Sequence, residues 1–337
     1  MKAIVLHEKG EPENLKYEDV PDLEPAAGQI VVKLKAAALN HRDVWIRKGM
    51  YAGLKFPIIL GSDGAGEIVA LGDDVPKELL GQAVVINPGM DWGNDPRVQH
   101  KYFKILGLPE DGTYAEFVVC PFEYAHPKPA SLSWEEAAAL PLAGLTAYRA
   151  VVTRARVKAG DNVLITGIGG GVSTFALQIA MQLGAKVFVT SGSNEKIERA
   201  REIGADGGAN YKTEDWGKMV VGMTDGDGPD VVIDSVGGET LAKCIDIMKP
   251  GGRIAIYGAT TGLPKTVDLR RIFWKQLDIC GSTMGTQEEF AAMLKLYGDA
   301  QIKPVVDKVF PLCDASASHH RMEEAGQFGK IVLNCES

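Results

Sequence analysis

The chain has 337 residues, of which 45% are hydrophobic and 24% charged, and its formal net charge is −8 at pH 7. These values are ordinary for a globular protein, and the length favours two domains over one. The acidic balance and the absence of any lysine and arginine cluster argue against a nucleic acid as partner.

The N-terminal run and the cysteines predict a reduced cytoplasmic protein. The apolar run at Ala3–Leu6 is too short for a signal peptide, and no stretch approaches the length of a membrane span. The five cysteines are scattered and form no C-x-x-C pair, which leaves no cysteine cluster for zinc.

Residues 1–125 predict a mostly β domain, because strand-like runs are separated by turns rich in Pro, Gly and Asp. These runs are Lys2–Leu6, Gln29–Ala37, Gly66–Val69, Ala83–Ile86 and Tyr114–Val119.

A change of composition near Tyr124 marks a second region. Ser133 and Glu136 have the spacing of a capping box and open an alanine-rich helix. From Gly160 to Met284 strands and helices alternate, which is typical of a doubly wound parallel sheet. The predicted strands are Val163–Thr166, Lys186–Thr190, Val231–Asp234, Arg253–Tyr257 and Leu277–Ser282, and the predicted helices are Thr146–Val152, Glu195–Ile203 and Gly238–Met248. The tail predicts helices at Gln287–Tyr297 and Ser316–Gln327 and strands at Val305–Pro311 and Lys330–Asn334.

A glycine-rich turn joins the first of these strands to a helix. Gly167, Gly169, Gly170 and Gly171 follow the buried run, and residues from Thr174 to Met181 have helical apolar spacing. Glycines let the backbone approach a pyrophosphate, and the free amides of a helix start attract its charge. The last glycine of the G-x-G-x-x-G pattern is replaced by Val172, but the strand–turn–helix context still predicts a dinucleotide site.

The order of motifs resembles the medium-chain dehydrogenase/reductase superfamily from end to end. The segments that carry the resemblance are residues 38–43, 60–66, 111–117, 144–148, the glycine turn and residues 281–285. The resemblance implies that residues 1–125 and 285–337 form a GroES-like catalytic domain. It implies that residues 126–284 form the Rossmann domain, with the substrate between the two.

The positions that hold zinc in zinc-type members of this superfamily carry other residues here. Asn40 stands where those members have a cysteine, Ser62 and Asp63 where they have a His-Glu pair, and Ala143 near the third ligand. Catalytic zinc requires three protein ligands, and this set does not supply them. We therefore predict no metal, the alternative being a residual site at His41 and Asp63. The pattern resembles the zinc-independent quinone oxidoreductase and enoyl reductase branch.

The resemblance points to two catalytic residues. Tyr51 matches a tyrosine that can donate the proton after hydride transfer, and the alternative is a loop aromatic that only covers the cleft. The amide of Asn40 suits the nicotinamide ribose or the substrate carbonyl, and the alternative is an Asx turn. For Asp43 we expect a structural role, orienting Asn40 or capping the helix at Val44–Lys48.

The residues after the second strand of the predicted nucleotide fold favour NADPH over NADH. No acidic residue stands where one would bind the ribose 2′-hydroxyl, and Ser191, Ser193 and Lys196 suit a 2′-phosphate. The alternative is that Ser193 caps the next helix and Lys196 is solvated. Strand ends and the resemblance imply further cofactor contacts at Thr146, Val172, Tyr211, Ser235, Val236, Gly258, Ala259, Ser282, Thr283 and Met284.

Three functions remain open on this basis. The first is a zinc-independent NADPH reductase of quinones or α,β-unsaturated carbonyls, since these substrates need no Lewis acid. The second is an alcohol or aldehyde reductase that uses Tyr51 or His41, and the third is a non-catalytic NADPH-binding protein. By resemblance we expect a homodimer or homotetramer.

Overall fold

The computed structural model describes residues 1–336, and these form two compact units. Met1–Leu145 and Gly285–Ser337 make up the first unit, and Thr146–Met284 the second. Among the described residues, no helix has the length and apolar character needed to cross a bilayer.

The strands and helices are numbered along the chain. The strands are β1 (Lys2–Leu6), β2 (Leu15–Asp19), β3 (Gln29–Ala38), β4 (Ile58–Ile59), β5 (Asp63–Leu71), β6 (Ala83–Ile86), β7 (Gly89–Met90), β8 (Lys104–Ile105), β9 (Phe117–Pro121), β10 (Ala125–Pro127), β11 (Asn162–Ile165), β12 (Lys186–Ser191), β13 (Gly207–Asn210), β14 (Val231–Asp234), β15 (Arg253–Ile256), β16 (Asp278–Gly281), β17 (Val306–Pro311) and β18 (Lys330–Asn334). The helices are α1 (His41–Arg47), α2 (Trp134–Ala139), α3 (Pro141–Tyr148), α4 (Gly171–Gln182), α5 (Asn194–Glu202), α6 (Trp216–Met223), α7 (Gly238–Ile247), α8 (Leu269–Lys275), α9 (Gln287–Asp299) and α10 (Ala315–Glu323).

The first unit is built around the long strand β3. One sheet has the order β10-β6-β5-β3-β18-β17, with β9 also paired to β3, and a smaller sheet has the order β2-β1-β4. Their apolar faces share one core, which includes Ile4, Leu34 and Leu333. β18 pairs antiparallel with β3, and this pairing brings the C-terminal segment beside the residues that follow β3. This mostly β unit with a C-terminal contribution has the architecture that the sequence predicts for residues 1–125 and 285–337.

The second unit is an all-parallel sheet with the order β13-β12-β11-β14-β15-β16. β11 lies between β12 and β14, so the chain reverses its direction of progress across the sheet there. Ligands of open α/β sheets bind outside the carboxyl ends of the strands at such a point. The predicted doubly wound Rossmann sheet is confirmed, and the predicted glycine turn lies at this switch point.

Contacts place residues 126–145 with the first unit, whereas the predicted boundary put them in the Rossmann domain. β10 pairs with β6, and α2 packs on β3 and β5. The capping box of Ser133 and Glu136 does start α2, with Ser133 Oγ accepting from the Glu136 amide at 3.2 Å. The capping pattern therefore predicted the start of α2 correctly, but the unit to which the helix belongs depends on long-range packing.

Several other elements differ from the prediction. The pattern of Tyr114–Val119 suggested a strand that begins three residues before β9 does, and the helix expected at Thr146–Val152 is the end of α3 followed by a π-helical segment, Arg149–Arg154. The elements that were not predicted are β2, β4, β7, β8, β10, β13, α6 and α8. β13 lacks the β-branched residues that mark a strand, and its pairing with β12 holds it extended.

Candidate active site

Asn40, Asp63 and Lys330 meet in the interior of the first unit. The Lys330 ammonium donates to the Leu39 carbonyl at 2.6 Å, to Asn40 Oδ1 at 2.7 Å and to Asp63 Oδ2 at 2.8 Å. Asn40 Nδ2 in turn donates to Asp63 Oδ2 at 2.9 Å, and the Leu142 amide donates to Asp63 Oδ1 at 2.8 Å. All three side chains are buried. The ammonium thus lies among three oxygens, and the bond to Lys330 fixes which end of the Asn40 amide faces Asp63.

Local capping positions Asn40 at the start of α1. Asp43 Oδ2 accepts the backbone N–H of Asn40 at 2.8 Å and the Tyr114 hydroxyl at 2.9 Å. Burial raises the pKa of Asp43, and the charge of Arg42 and these hydrogen bonds oppose that rise. Burial and the neighbouring Asp43 raise the pKa of Tyr114 well above its ordinary value. Asp43 therefore has a structural role, whereas the Asn40 side chain bonds to Asp63 and Lys330.

Arg42 links Ser62 to Tyr51. Its Nη1 donates to Ser62 Oγ at 2.7 Å and to the Leu106 carbonyl at 2.8 Å. Its Cζ lies 5.3 Å from the centroid of the Tyr51 ring, which is cation–π range. Tyr51 itself is 36% exposed, so its side chain borders solvent, whereas Arg42 is only 8% exposed.

His41 follows Asn40 on the first turn of α1. The residue is exposed as a whole, but desolvation by the surrounding protein and, to a smaller extent, the charge of Lys330 lower the pKa of its imidazole. Among residues 1–336, no three His, Cys, Asp or Glu side chains lie together in a way that could hold a metal ion.

The glycine turn of the second unit has the geometry that a pyrophosphate site needs. Gly167 and Gly169 have φ of 65° and 126°, values that side chains other than glycine rarely adopt. Gly170 is the N-cap of α4, and in the described structure no side chain caps that helix start. Gly171 begins the helix, and Val172 and Ser173 follow in its first turn. The uncapped amides of α4 suit an anionic ligand.

The residues predicted to select the cofactor lie together after β12. Ser191 ends the strand and its Oγ accepts the Ser193 amide at 3.2 Å, while Ser193 Oγ accepts the Lys196 amide at 3.4 Å as the N-cap of α5. A Cβ on Gly169 would be 2.9 Å from Lys196 Cδ, so the lysine side chain crosses the glycine turn. A Cβ on Gly192 would be 2.8 Å from the Tyr211 hydroxyl, which brings that ring to the same place.

The loops after β14 and β15 are joined to each other. Thr260 and Thr261 amides donate to the carbonyls of Ser235 and Val236 at 3.0 and 2.9 Å. Asp234 fixes the first loop, because its carboxylate accepts the amides of Val236 and Gly237 at 3.2 and 3.1 Å. Gly258 packs against Ser235, since a Cβ there would lie 3.1 Å from that of the serine. Ala259, next to Gly258, is exposed.

Thr146 and Met284 are brought into contact although 138 positions separate them. The Thr146 hydroxyl donates to the Met284 sulfur at 3.8 Å, and both side chains are buried. Ser282 Oγ is buried with no hydrogen-bond partner among the described residues, whereas Thr283 is exposed. An orphaned hydroxyl at the end of β16 fits a polar group of a ligand, the carboxamide of a nicotinamide being one such group.

The sequence predicted roles for Asn40 and Tyr51, but it missed the two cationic side chains that lie beside them, Lys330 and Arg42. Arg42 stood within a quoted motif, and nothing local marked it for a role. Lys330 is 267 positions from Asp63, so only the pairing of β18 with β3 reveals it.

Two family models match parts of the chain. Residues 26–130 match the alcohol dehydrogenase GroES-like domain, and residues 171–299 match the zinc-binding dehydrogenase family. A zinc-type alcohol dehydrogenase-like protein of Schizosaccharomyces pombe is 37% identical over 95% of this chain and 94% of its own length. A quinone oxidoreductase of Pseudomonas aeruginosa is 30% identical over 98% of this chain and 99% of its own.

A solved structure, described as an NAD-dependent alcohol dehydrogenase, superposes with a TM-score of 0.94 at 43% identity and covers 99% of both chains. The name of this solved structure includes a nicotinamide cofactor, and the uncapped α4 with its glycine turn in this chain fits the pyrophosphate of such a group. The chain belongs to the medium-chain dehydrogenase/reductase superfamily of oxidoreductases, in its quinone oxidoreductase-like branch.

Proposed function

We propose that this protein is a zinc-independent, NADPH-dependent oxidoreductase that transfers hydride to a quinone or an α,β-unsaturated carbonyl compound. The observation that carries this proposal is the Lys330 ammonium, bonded at 2.7 and 2.8 Å to Asn40 and Asp63. A metal ion at these side chains would have to displace a buried cation that already neutralises Asp63. Without a Lewis acid, a conjugated substrate is favoured, because its charge can delocalise to an oxygen that hydrogen bonds hold.

The roles of the chain's own residues follow from their positions. The reduced nicotinamide, when bound, would supply the hydride. Asn40 retains a second amide hydrogen on Nδ2 after bonding Asp63, and it would donate this hydrogen to the substrate or to a ribose. Tyr51 would donate a proton or a hydrogen bond to the reduced product, since its phenol is partly exposed beside Arg42.

Selection of NADPH is the second part of the proposal. Ser191, Ser193, Lys196 and Tyr211 surround the end of β12, and no acidic side chain stands among residues 189–194. A 2′-phosphate would meet the N-terminus of α5 and the lysine charge there. The similar solved structure carries an NAD-dependent name, so both cofactors must be titrated.

The test is oxidation of NADPH and NADH with matched panels of quinones, enones and alcohols, together with elemental analysis for zinc. We expect turnover with quinones or enones, substoichiometric zinc and no loss on treatment with a chelator. Tyr51→Phe should lower turnover about tenfold or more with cofactor affinity kept. Stoichiometric zinc, or turnover of alcohols alone, would refute the proposal, and tight NADPH binding without any turnover would favour a binding protein.

We also propose assembly into a homodimer or homotetramer through the edge of the second unit. β16 is the last strand of its sheet, and Ile279 on it is 38% exposed. Phe273 and Trp274 on the preceding α8 are 66% and 83% exposed. An open edge beside exposed aromatics favours pairing with another copy. Sedimentation at micromolar concentration tests this, and a monomer would contradict it.

A cytoplasmic location stays a prediction, which the five free cysteines support.

A further inference from the structure

Arg42 is a buried cation that forms no ion pair with a carboxylate in the described part of the chain. Only 8% of its surface is exposed. Its sequence neighbour Asp43 is engaged by the Asn40 amide and the Tyr114 hydroxyl instead. The charge of Asp43 still acts on Arg42 through space, but a buried cation that forms no direct ion pair is costly to keep in the interior.

The nitrogens of Arg42 are used unequally. Nη1 makes both hydrogen bonds, to Ser62 Oγ and to the Leu106 carbonyl. Nε is buried with no partner among residues 1–336. Nη2 makes no hydrogen bond to the described residues either and, unlike Nε, is not sealed from solvent. Two protein acceptors therefore anchor the guanidinium, and one of its donor groups is left to face an incoming molecule.

The guanidinium of Arg42 lies beside the predicted proton donor. The Tyr51 ring lies 5.3 Å from Arg42 Cζ, so the phenol and the cation form one patch. We propose that Arg42 is a catalytic residue whose Nη2 binds the substrate oxygen on which negative charge develops, with Tyr51 beside it. The positive charge of Arg42 would then stabilise the developing oxyanion, a role that a metal ion can fill in other enzymes. This inference rests on the proposed function and deepens it.

The proposed step is balanced as a two-electron reduction. The β-carbon of the substrate gains a C–H bond by hydride transfer from NADPH, which is oxidised to NADP⁺. The electron pair of the C=C bond moves to give an enolate, whose oxygen Arg42 holds. The α-carbon then gains a proton from Tyr51, which recovers one from solvent. A preorganised cation directed at a developing oxyanion is worth about 100-fold or more in rate.

Binding of an enolate mimic tests Arg42 without turnover. The probe is 2,4-dinitrophenolate, a planar anion whose charge lies on an oxygen of a conjugated system, and its neutral counterpart is 2,4-dinitroanisole. Both are titrated calorimetrically into the full-length protein, with and without saturating NADP⁺. We expect the wild type to prefer the anion about tenfold or more, because a charge-assisted bond forms only with it. Arg42→Gln should remove this preference, and Arg42→Lys should keep part of it.

The control variant is Arg97→Gln, which makes the same chemical change at a side chain that is 84% exposed. It should leave the preference for the anion unchanged. Retention of the wild-type preference by Arg42→Gln, or no preference in the wild type, would overturn the proposal. If Arg42→Gln does not fold, Arg42→Lys decides. Wild-type preference for the anion together with wild-type turnover in that variant would overturn the assignment to Nη2.

Kinetics on the best substrate of the panel provide the second readout. Arg42→Gln should lower kcat by about 100-fold with a smaller change in KM, since the charge exists only after hydride transfer. An equal change in KM with kcat kept would contradict the assignment. If the wild type oxidises NADPH with no compound of the panel, the proposed function is refuted. The anion-binding role of Arg42 is still tested separately by the titration with 2,4-dinitrophenolate.

Discussion

Removing the Lys330 ammonium gives the sharpest test of the network at the candidate active site. Lys330→Met keeps most of the side-chain volume but removes three hydrogen bonds, at 2.6, 2.7 and 2.8 Å, and one charge. Asp63, which has no exposed surface, would then keep an uncompensated carboxylate in the interior. Breaking a buried ion pair from one side destabilises a protein by about 3 to 5 kcal/mol. We expect a loss of that size in the free energy of unfolding.

The assay is equilibrium urea unfolding of Lys330→Met, Asp63→Asn and the double variant. The double variant should lose less than the sum of the two single losses, because neither charge is then left alone. The matched control is Lys35→Met, where the lysine also bonds a carboxylate at 2.8 Å, that of Glu336, but at a more exposed site. That change should alter stability by no more than about 1 kcal/mol. A loss for Lys330→Met no larger than for Lys35→Met would refute the reasoning.

Three further predictions follow from the contacts described. Lys196→Met should raise the Kd for NADPH while leaving the Kd for NADH nearly unchanged. The control is Lys218→Met, at a lysine that is 86% exposed, and it should change neither Kd. An equal change of both Kd values in Lys196→Met would contradict a contact with the 2′-phosphate. Gly169→Ala should destabilise the protein by about 1 to 3 kcal/mol, because φ of this residue is 126°. The control is Gly170→Ala, where φ is −81° and the nearest atom to an added Cβ would be Ser173 Oγ at 3.8 Å. This change should lower thermal stability far less. Burial, with the charges of Arg47 and His320, lowers the pKa of His319 from 6.5 to about 3. Below pH 6.5 this histidine is therefore protonated in the unfolded chain but not in the folded protein. The free energy of unfolding consequently decreases as the pH is lowered from 6.5 to about 3, by at most about 5 kcal/mol. His319→Gln should flatten this part of the stability profile, and a profile identical to the wild type would show that other groups cause it.

Local sequence patterns predicted the conformation correctly where the residues that determine it lie within the same short segment. The buried run before Gly167 and the helix after Gly171 are encoded within about twenty positions, and the fold at this turn is the predicted one. The capping box at Ser133 likewise started α2 where the pattern placed it. Segments whose conformation depends on a partner strand, such as β13, gave no such signal.

The sequence by itself determined the fold class and the glycine-rich turn at the switch point, and it predicted roles for Asn40 and Tyr51 in the first unit. Only the tertiary structure decided what surrounds those residues, because β18 delivers Lys330 to Asn40 and Asp63 from the far end of the chain. The same holds for Arg42, whose role depends on Ser62, Leu106 and Tyr51 rather than on its neighbours in sequence. Periodicity and turn chemistry act over a few residues, whereas the compensation of a buried charge depends on which strands pair.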